Sequence, residues 1–187
     1  MRKTIILALL VVILLGTTRL YAVTEWTYGD HTVGSGDTYD IVKIYNDVTL
    51  SILDGGQIGG LETYDITLTE MFGGALDTLL AYEESRVHLR GGDIGTVIAR
   101  ADEVVHIYGL EFEWTPEEFN PARGVLTGLW EDNTPFSINL RDCPPSSGKV
   151  VLHVIPEPAT LLLMGLGGLL CRKQLHKTGD FNIIVST

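Results

Sequence analysis

Residues 54–95 read DGGQIGGLETYDITLTEMFGGALDTLLAYEESRVHLRGGDIG, and their spacing decides the fold. Gly-Gly pairs fall at Gly55-Gly56, Gly73-Gly74 and Gly91-Gly92, a step of 18 residues, and Gly109 extends the series. Ile58, Leu76, Ile94 and Phe112 stand three residues after the first glycine of each unit, and Leu61, Leu79 and Val97 stand six after. Tyr64 and Tyr82 stand nine after, each followed by an acid, Asp65 and Glu83. A fixed period of this size marks a repeat architecture. Between the glycines apolar residues alternate, as in Val48, Leu50 and Ile52 or Val87 and Leu89. Period-two alternation is a strand with one buried face. Paired glycines let the chain turn without a Cβ clash. One coil cannot bury its apolar face alone, so neighbours must stack. The expected fold is all-β: a parallel β-solenoid of about four to five coils of ~18 residues, with a short β cap and apolar helices at both termini. The register is uneven. Val48 and Leu50 precede their glycine by seven and five residues, Val87 and Leu89 theirs by four and two, which predicts a bulge or phase shift between coils.

Outward from the repeat, residues 23–46 lead in. Trp26 and Tyr28 precede a polar, flexible stretch, Gly29–Gly36, and Ile41, Val42, Ile44 and Tyr45 form an irregular first coil. After Phe112 the repeat breaks into a loop, Trp114–Arg123. Three strand-like runs follow, Val125–Trp130, Phe136–Leu140 and Val150–Ile155, expected to cover the last coil and shield its edge. The expected domains are a signal peptide over 1–22, solenoid repeats over 23–112, a β cap and linker over 113–155, a sorting segment over 156–173 and a tail over 174–187.

The chain carries 24 acids against 13 bases, a net charge of −11. Between Val23 and Ile155 there are 22 acids and 7 bases, or 7−22 = −15. Nucleic acid is excluded as a partner, since phosphate contacts need a basic face. The acids are interspersed and read as a solvated surface. Cys143 and Cys171 are the only cysteines, and Cys171 ends an apolar segment, which argues against a disulfide between them.

Residues 1–22 read as a secretory signal: Arg2-Lys3, the apolar run Ile5–Leu15, then a more polar stretch ending at Ala22, the expected cleavage position. The export translocon and signal peptidase are the implied partners. Near the other end, Pro156-Glu157-Pro158 precedes the apolar run Ala159–Leu170 and the basic flank Arg172-Lys173. These three elements in this order resemble the PEP-CTERM sorting signal of exported bacterial proteins, a segment also labelled an ice-binding protein C-terminal domain. The label implies nothing about ice for this chain. The resemblance implies processing by an exosortase at Pro156, Glu157 and Pro158. It also implies a membrane-facing C-terminal helix, with Arg172 and Lys173 at its cytoplasmic end. The Gly-Gly units look similar to repeats of exported planctomycete-type proteins that bear this tail. The resemblance makes the chain an exported, at least transiently membrane-anchored protein of the cell surface or extracellular matrix. Unlike most of the family, it continues past its basic cluster to Thr187.

Other constellations carry less. His88 and His106, 18 apart and flanked by inward apolar residues, predict an outward surface ladder rather than a metal pair. Tyr64 and Tyr82 predict a stacked aromatic ladder rather than a platform for sugars. Gly73–Leu79 is similar to the calcium nonapeptide of repeats-in-toxin proteins, but Asp77 is one position early. Carboxylate pairs such as Asp93 with Glu111, or Glu83 with Glu103, would serve a glycan-cleaving β-helix enzyme. Acids are abundant enough for such pairs to arise by chance. The expectation is a structural or adhesive solenoid with no catalytic residues, no metal and no cofactor. The alternative is a carbohydrate-binding or carbohydrate-active β-helix with extracellular polysaccharide as partner.

Overall fold

The computed structural model describes residues 21–100 and 104–156. Contacts divide the chain into two units, Met1–His153 and Val154–Thr187; of the second, only residues 154–156 are described. The first unit is built from β1 (Val23–Trp26), β2 (Asp30–Val33), β3 (Thr38–Ile44), β4 (Thr49–Ile52), β5 (Gln57–Thr63), β6 (Leu68–Met71), β7 (Ala75–Ala81), β8 (Arg86–Leu89), β9 (Asp93–Ala99), β10 (Val104–Pro116), β11 (Arg123–Leu129), β12 (Pro135–Arg141) and β13 (Val150–Val154). Odd strands β1 to β9 pair in parallel along one face, and even strands β2 to β10 pair in parallel along the other. Each coil therefore contributes one strand to each face. Five coils result, so the solenoid reading holds.

Two kinds of corner join the faces. At one, Gly36, Gly55, Gly74 and Gly92 adopt positive φ of 93°, 80°, 77° and 96°. These corners stack through backbone bonds: Ala75 N–H donates to Gly56 O and Asp93 N–H to Gly74 O, both at 2.9 Å. The φ-positive residue is the first glycine of its pair at Gly55 and the second at Gly74 and Gly92. One extra residue in the corner before β5 accounts for this. It also resolves the uneven register: Thr49 pairs with Leu68, a step of 19, whereas Leu68 pairs with Arg86, a step of 18. Both spacings place the apolar residues in line, with Ile52, Met71, Leu89 and Ile107 forming one buried column.

The opposite corner is made by residues after the tyrosines. Asn46, Asp65 and Glu83 take positive φ of 61°, 54° and 65°. Asn and Asp tolerate this left-handed region better than other side chains. Each acid also holds the coil before it. Asn46 N–H donates to Asp65 Oδ2 at 2.9 Å, and Asp65 N–H to Glu83 Oε2 at 3.2 Å. The acids that recur after tyrosine are thus corner ties.

The long strands bend. Ile58 and Leu61 are both buried, as are Leu76 with Leu79 and Ile94 with Val97. Inward residues three apart cannot lie on one flat strand. The bend falls between them, where Gly59 and Gly95 lie against the Asp40 and Asp77 carbonyls; a Cβ at either glycine would meet that oxygen at 2.6 Å.

Three expectations are corrected here. The stretch Gly29–Gly36 holds β2, and Trp26 belongs to β1, so a complete coil precedes the one formed by Ile41–Ile44. The signal was weak because Asp-His-Thr-Val is a polar edge strand with one side unpaired. Gly109 makes no corner; it lies within β10, where a Cβ would meet Leu129 O at 2.5 Å. Glycine there admits the cap strand rather than turning the chain. The third correction concerns the terminal apolar helices. Among the described residues there is no α-helix, only a 3-10 turn over Pro145–Ser147, and none long and apolar enough to cross a membrane. The fold class is therefore all-β without them; the apolar segments 1–20 and 159–171 lie outside the described residues.

The cap closes one end of the stack. β10 leaves β8, continues to Pro116 and pairs antiparallel with β11; β11 pairs antiparallel with β12, and β12 pairs in parallel with β9. β13 pairs with β10 as well, and Val105 N–H donates to Lys149 O at 2.8 Å, so with β12 on β9 both edges of the last coil are occupied, which removes a template for intermolecular pairing. Leu126, Ile138 and Leu140 are fully buried and extend the core into this hairpin.

The core also holds hydroxyls. Thr63 Oγ1 donates to Ser85 Oγ at 2.9 Å, whereas Thr67 Oγ1 and Thr69 Oγ1 are buried without a partner among the described residues. Thr69 stands in register with Leu50 and Val87, both fully buried. Thr69→Val keeps the shape and removes an unpaired buried hydroxyl, so we expect it to stabilise the fold by about 1–2 kcal/mol. A raised urea midpoint with unchanged slope is the expected result. A lowered midpoint would show that the hydroxyl is satisfied.

Candidate functional site

The outer faces carry two side-chain arrays, and each follows from strand alternation. On β8, Val87 and Leu89 are fully buried, so Arg86, His88 and Arg90 project outward. On β10, Val105 and Ile107 are buried and His106 and Tyr108 project beside them. His88 and His106 are direct register partners, with ring centroids 4.8 Å apart. The outward ladder is observed, but it has a third histidine that the 18-residue period could not reveal. His153 comes from β13, outside the repeat, and lies against His106, its Nε2 2.8 Å from His106 Nδ1. Tyr108 stacks on His153 at 4.4 Å, its hydroxyl lies 3.1 Å from His88 Nδ1, and the Arg90 guanidinium sits 3.9 Å above its ring.

The array sets its own electrostatics. Burial holds the His88 imidazole below its ordinary pKa, and the neighbouring Arg90 charge adds to this; Glu70, its register partner on β6, acts the other way. His106 is likewise lowered, first by burial and then by His88 and His153. Both shifts favour the neutral imidazole. Below the unfolded histidine value the unfolded chain takes up protons first, so their contribution to stability declines as pH falls.

The second array is a tyrosine ladder. Tyr45, Tyr64 and Tyr82 stack with centroids 4.9 Å and 4.8 Å apart and planes 9° and 3° from parallel. Tyr45 escaped the sequence reading because it precedes Tyr64 by 19 residues rather than 18. Tyr64 donates to Glu62 at 2.6 Å, and Lys43 pairs with the same carboxylate at 2.9 Å. Burial pushes the Tyr64 hydroxyl well above its ordinary range, and the Glu62 carboxylate adds to it. Burial also pushes Glu62 upward, but the Tyr64 hydroxyl and Lys43 outweigh it and hold the carboxyl below its usual value. Each inner ring has a neighbour over its face, so Tyr64 presents an edge to solvent. A sugar platform needs a free face, which this stacking removes at Tyr64.

A cleft of about 1080 Å³ lies along the glycine corner, lined among others by Asp54, Phe72, Arg90, Asp93, Trp130 and Asp132. Asp132 is held below its ordinary value by the Thr134 hydroxyl and then the Thr134 N–H. Asp93 lines the cleft, but Glu111 does not; it sits in the β10 bulge with φ of 52°. Glu83 is committed to Asp65 N–H, and Glu103 lies outside the described residues. Asp93 and Glu111 thus do not share the cleft, and the pairing of Glu83 with Glu103 falls partly outside the described residues. Asp77 is exposed at the strand bend and lines a hollow with Asp40, which lies two strands away. Among the described residues no group of three or more His, Cys, Asp or Glu is placed to hold a metal ion. Cys143 is buried, and burial raises its thiol pKa.

Of the terminal signals, Ala22 is exposed just before β1; its N–H donates to Asp40 Oδ2 at 2.9 Å and its carbonyl accepts from Ile41 N–H at 3.1 Å. Pro156 is exposed after β13. Glu157, Pro158, Arg172 and Lys173 lie outside the described residues. Residues 154–174 match the PEP-CTERM protein-sorting motif. No curated protein and no solved structure matches the chain. The motif marks an exported protein that is held transiently at the membrane and processed by an exosortase, a membrane protease.

Proposed function

We propose that this chain is an exosortase-sorted protein of the cell surface or extracellular matrix, with a body that is structural or adhesive rather than catalytic. The sorting motif at residues 154–174 carries the reading. The arrangement of the body supports it. Corner acids tie one coil to the next, and the tyrosines stack on one another. The last coil is closed by its own hairpin. These side chains are engaged in building a rod.

In this reading signal peptidase cuts after Ala22, and the exosortase acts at Pro156, Glu157 and Pro158. The test is intact-mass analysis of the protein isolated from a host with an active exosortase. We expect both ends to be shortened, and a chain carrying Pro156→Ala, Glu157→Ala and Pro158→Ala to keep its C terminus. An intact C terminus on all mature wild-type protein would overturn the reading.

A further inference from the structure

We propose that the outward patch of Arg86, His88, Arg90, His106 and His153 binds a linear polyanion, a carboxylate- or sulfate-bearing polysaccharide, and takes up protons as it does so. The ligand class rests on the exported, extracellular reading above; the anion preference rests on the patch alone.

The body is strongly acidic, with 22 acids against 7 bases between Val23 and Ile155. Yet two of those seven bases and three of its four histidines converge here. Strand alternation puts Arg86, His88 and Arg90 on one face, coil stacking brings His106 alongside, and β13 delivers His153. Glu70 from β6 is the carboxylate that faces His88, and Tyr108 from β10 lies among the rings. Arg86 is exposed, and His88, Arg90, His106 and His153 are half-buried.

The hydrogen bond between His106 and His153 links anion binding to protons. A 2.8 Å contact between two ring nitrogens needs one with its hydrogen and one bare. Protonating both rings sets two donors against each other and breaks the bond. An oxyanion over the patch accepts from both and removes the conflict. Anion and proton therefore favour each other's binding, by reciprocal linkage.

Geometry selects an extended ligand. The groups lie across three adjacent strands of an open face, and of the five only Arg90 also lines the cleft. A single small anion on such a face makes only exposed, screened contacts of low value. A polymer engages several at once, each after the first at high effective concentration. The body's overall negative charge acts against it only over the Debye length, about 8 Å at physiological salt. Duplex nucleic acid, with its denser charge, meets more of that repulsion.

The test is affinity electrophoresis of the full chain through gels containing polygalacturonate, dextran sulfate, neutral dextran or duplex DNA, at about pH 5.5 and about pH 7.5. Both polyanions should retard the protein at the lower pH and bind about tenfold more weakly at the higher. Neutral dextran should not retard it. Retardation by one polyanion alone identifies which group, carboxylate or sulfate, the patch takes. Arg86→Gln with Arg90→Gln should weaken binding about tenfold at both pH values. His106→Gln removes the contact with His153 and should weaken binding at the lower pH and reduce the pH dependence, with His88 and His153 still in the patch. Arg123→Gln with Arg141→Gln changes net charge equally at the cap and should bind as wild type. Equal loss in that cap variant, no retardation at the lower pH, or equal retention by DNA would overturn the proposal. Normal C-terminal processing without retardation sinks the patch alone. An intact C terminus with retardation sinks the sorting reading and leaves the anion preference standing.

Discussion

Gly74→Ala is expected to destabilise the solenoid by about 3 kcal/mol or more, the combined cost of a left-handed alanine and a backbone clash. Gly74 holds φ at 77°, which alone costs an L-residue about 1–2 kcal/mol. Its position adds a second penalty. A Cβ there would meet Gly56 O at 2.6 Å and Leu53 O at 2.7 Å. These oxygens belong to the corner of the preceding coil, and Gly56 O already accepts from Ala75 N–H. They cannot retreat without opening the stack. Gly29 separates the two costs. It has the same sign of φ, 81°, but nothing lies within 4 Å of its absent Cβ. Gly29→Ala should therefore cost only about 1–2 kcal/mol. Gly74→Asn should not rescue, because asparagine tolerates the backbone conformation but keeps the Cβ. Thermal melts by far-ultraviolet circular dichroism would measure all three. Equal losses at Gly29 and Gly74 would mean that the corners are not in contact.

That experiment also marks how far the sequence reaches. The period, the corner glycines and the inward columns of Ile, Leu and Val were legible because each coil repeats the same physical problem. The bend in the long strands was not read, although its signal was present: Ile58 and Leu61 both repeat, three residues apart, which a flat strand forbids. Tyr45 was lost because the step changes from 18 to 19 between the second and third coils. β2 was lost because an edge strand with one open side needs little apolar character. His153 could not be found from the period, since it enters the histidine patch from a strand outside the repeat. Its own local pattern, Val150-Val151-Leu152-His153, announces a strand and not its neighbours. The acids after tyrosine were read as solvated surface, yet Asp65 and Glu83 hold backbone N–H groups of adjacent coils. Charge patterning alone does not distinguish a free carboxylate from one that ties a corner.

The cap's attachment supplies the second large effect, centred on Trp130. It follows β11 directly, is 2% exposed, and packs its ring 4.2 Å from that of Phe136. Its indole N–H donates to Gly92 O at 3.0 Å. One side chain thus joins the closing hairpin to the last glycine corner. Trp130→Ala should cost about 3–5 kcal/mol, the usual loss for a large buried aromatic. Trp130→Phe keeps most of the packing and deletes the hydrogen bond, leaving Gly92 O without its indole partner, so about 1–2 kcal/mol should be lost. Packing and hydrogen bonding of the ring thereby separate. The consequence goes beyond stability, because β12 covers the edge of β9. A stack folds as a line of neighbours, so a weakened terminal contact opens locally before the rest melts. An opened β9 presents unpaired backbone to other chains. Trp130→Ala should therefore self-associate at temperatures where its circular dichroism still reports a folded solenoid. Size-exclusion chromatography with light scattering across that range would detect it. If the variant stays monomeric until it melts, the hairpin does not guard the edge, and closure of the rod must come from another part of the chain.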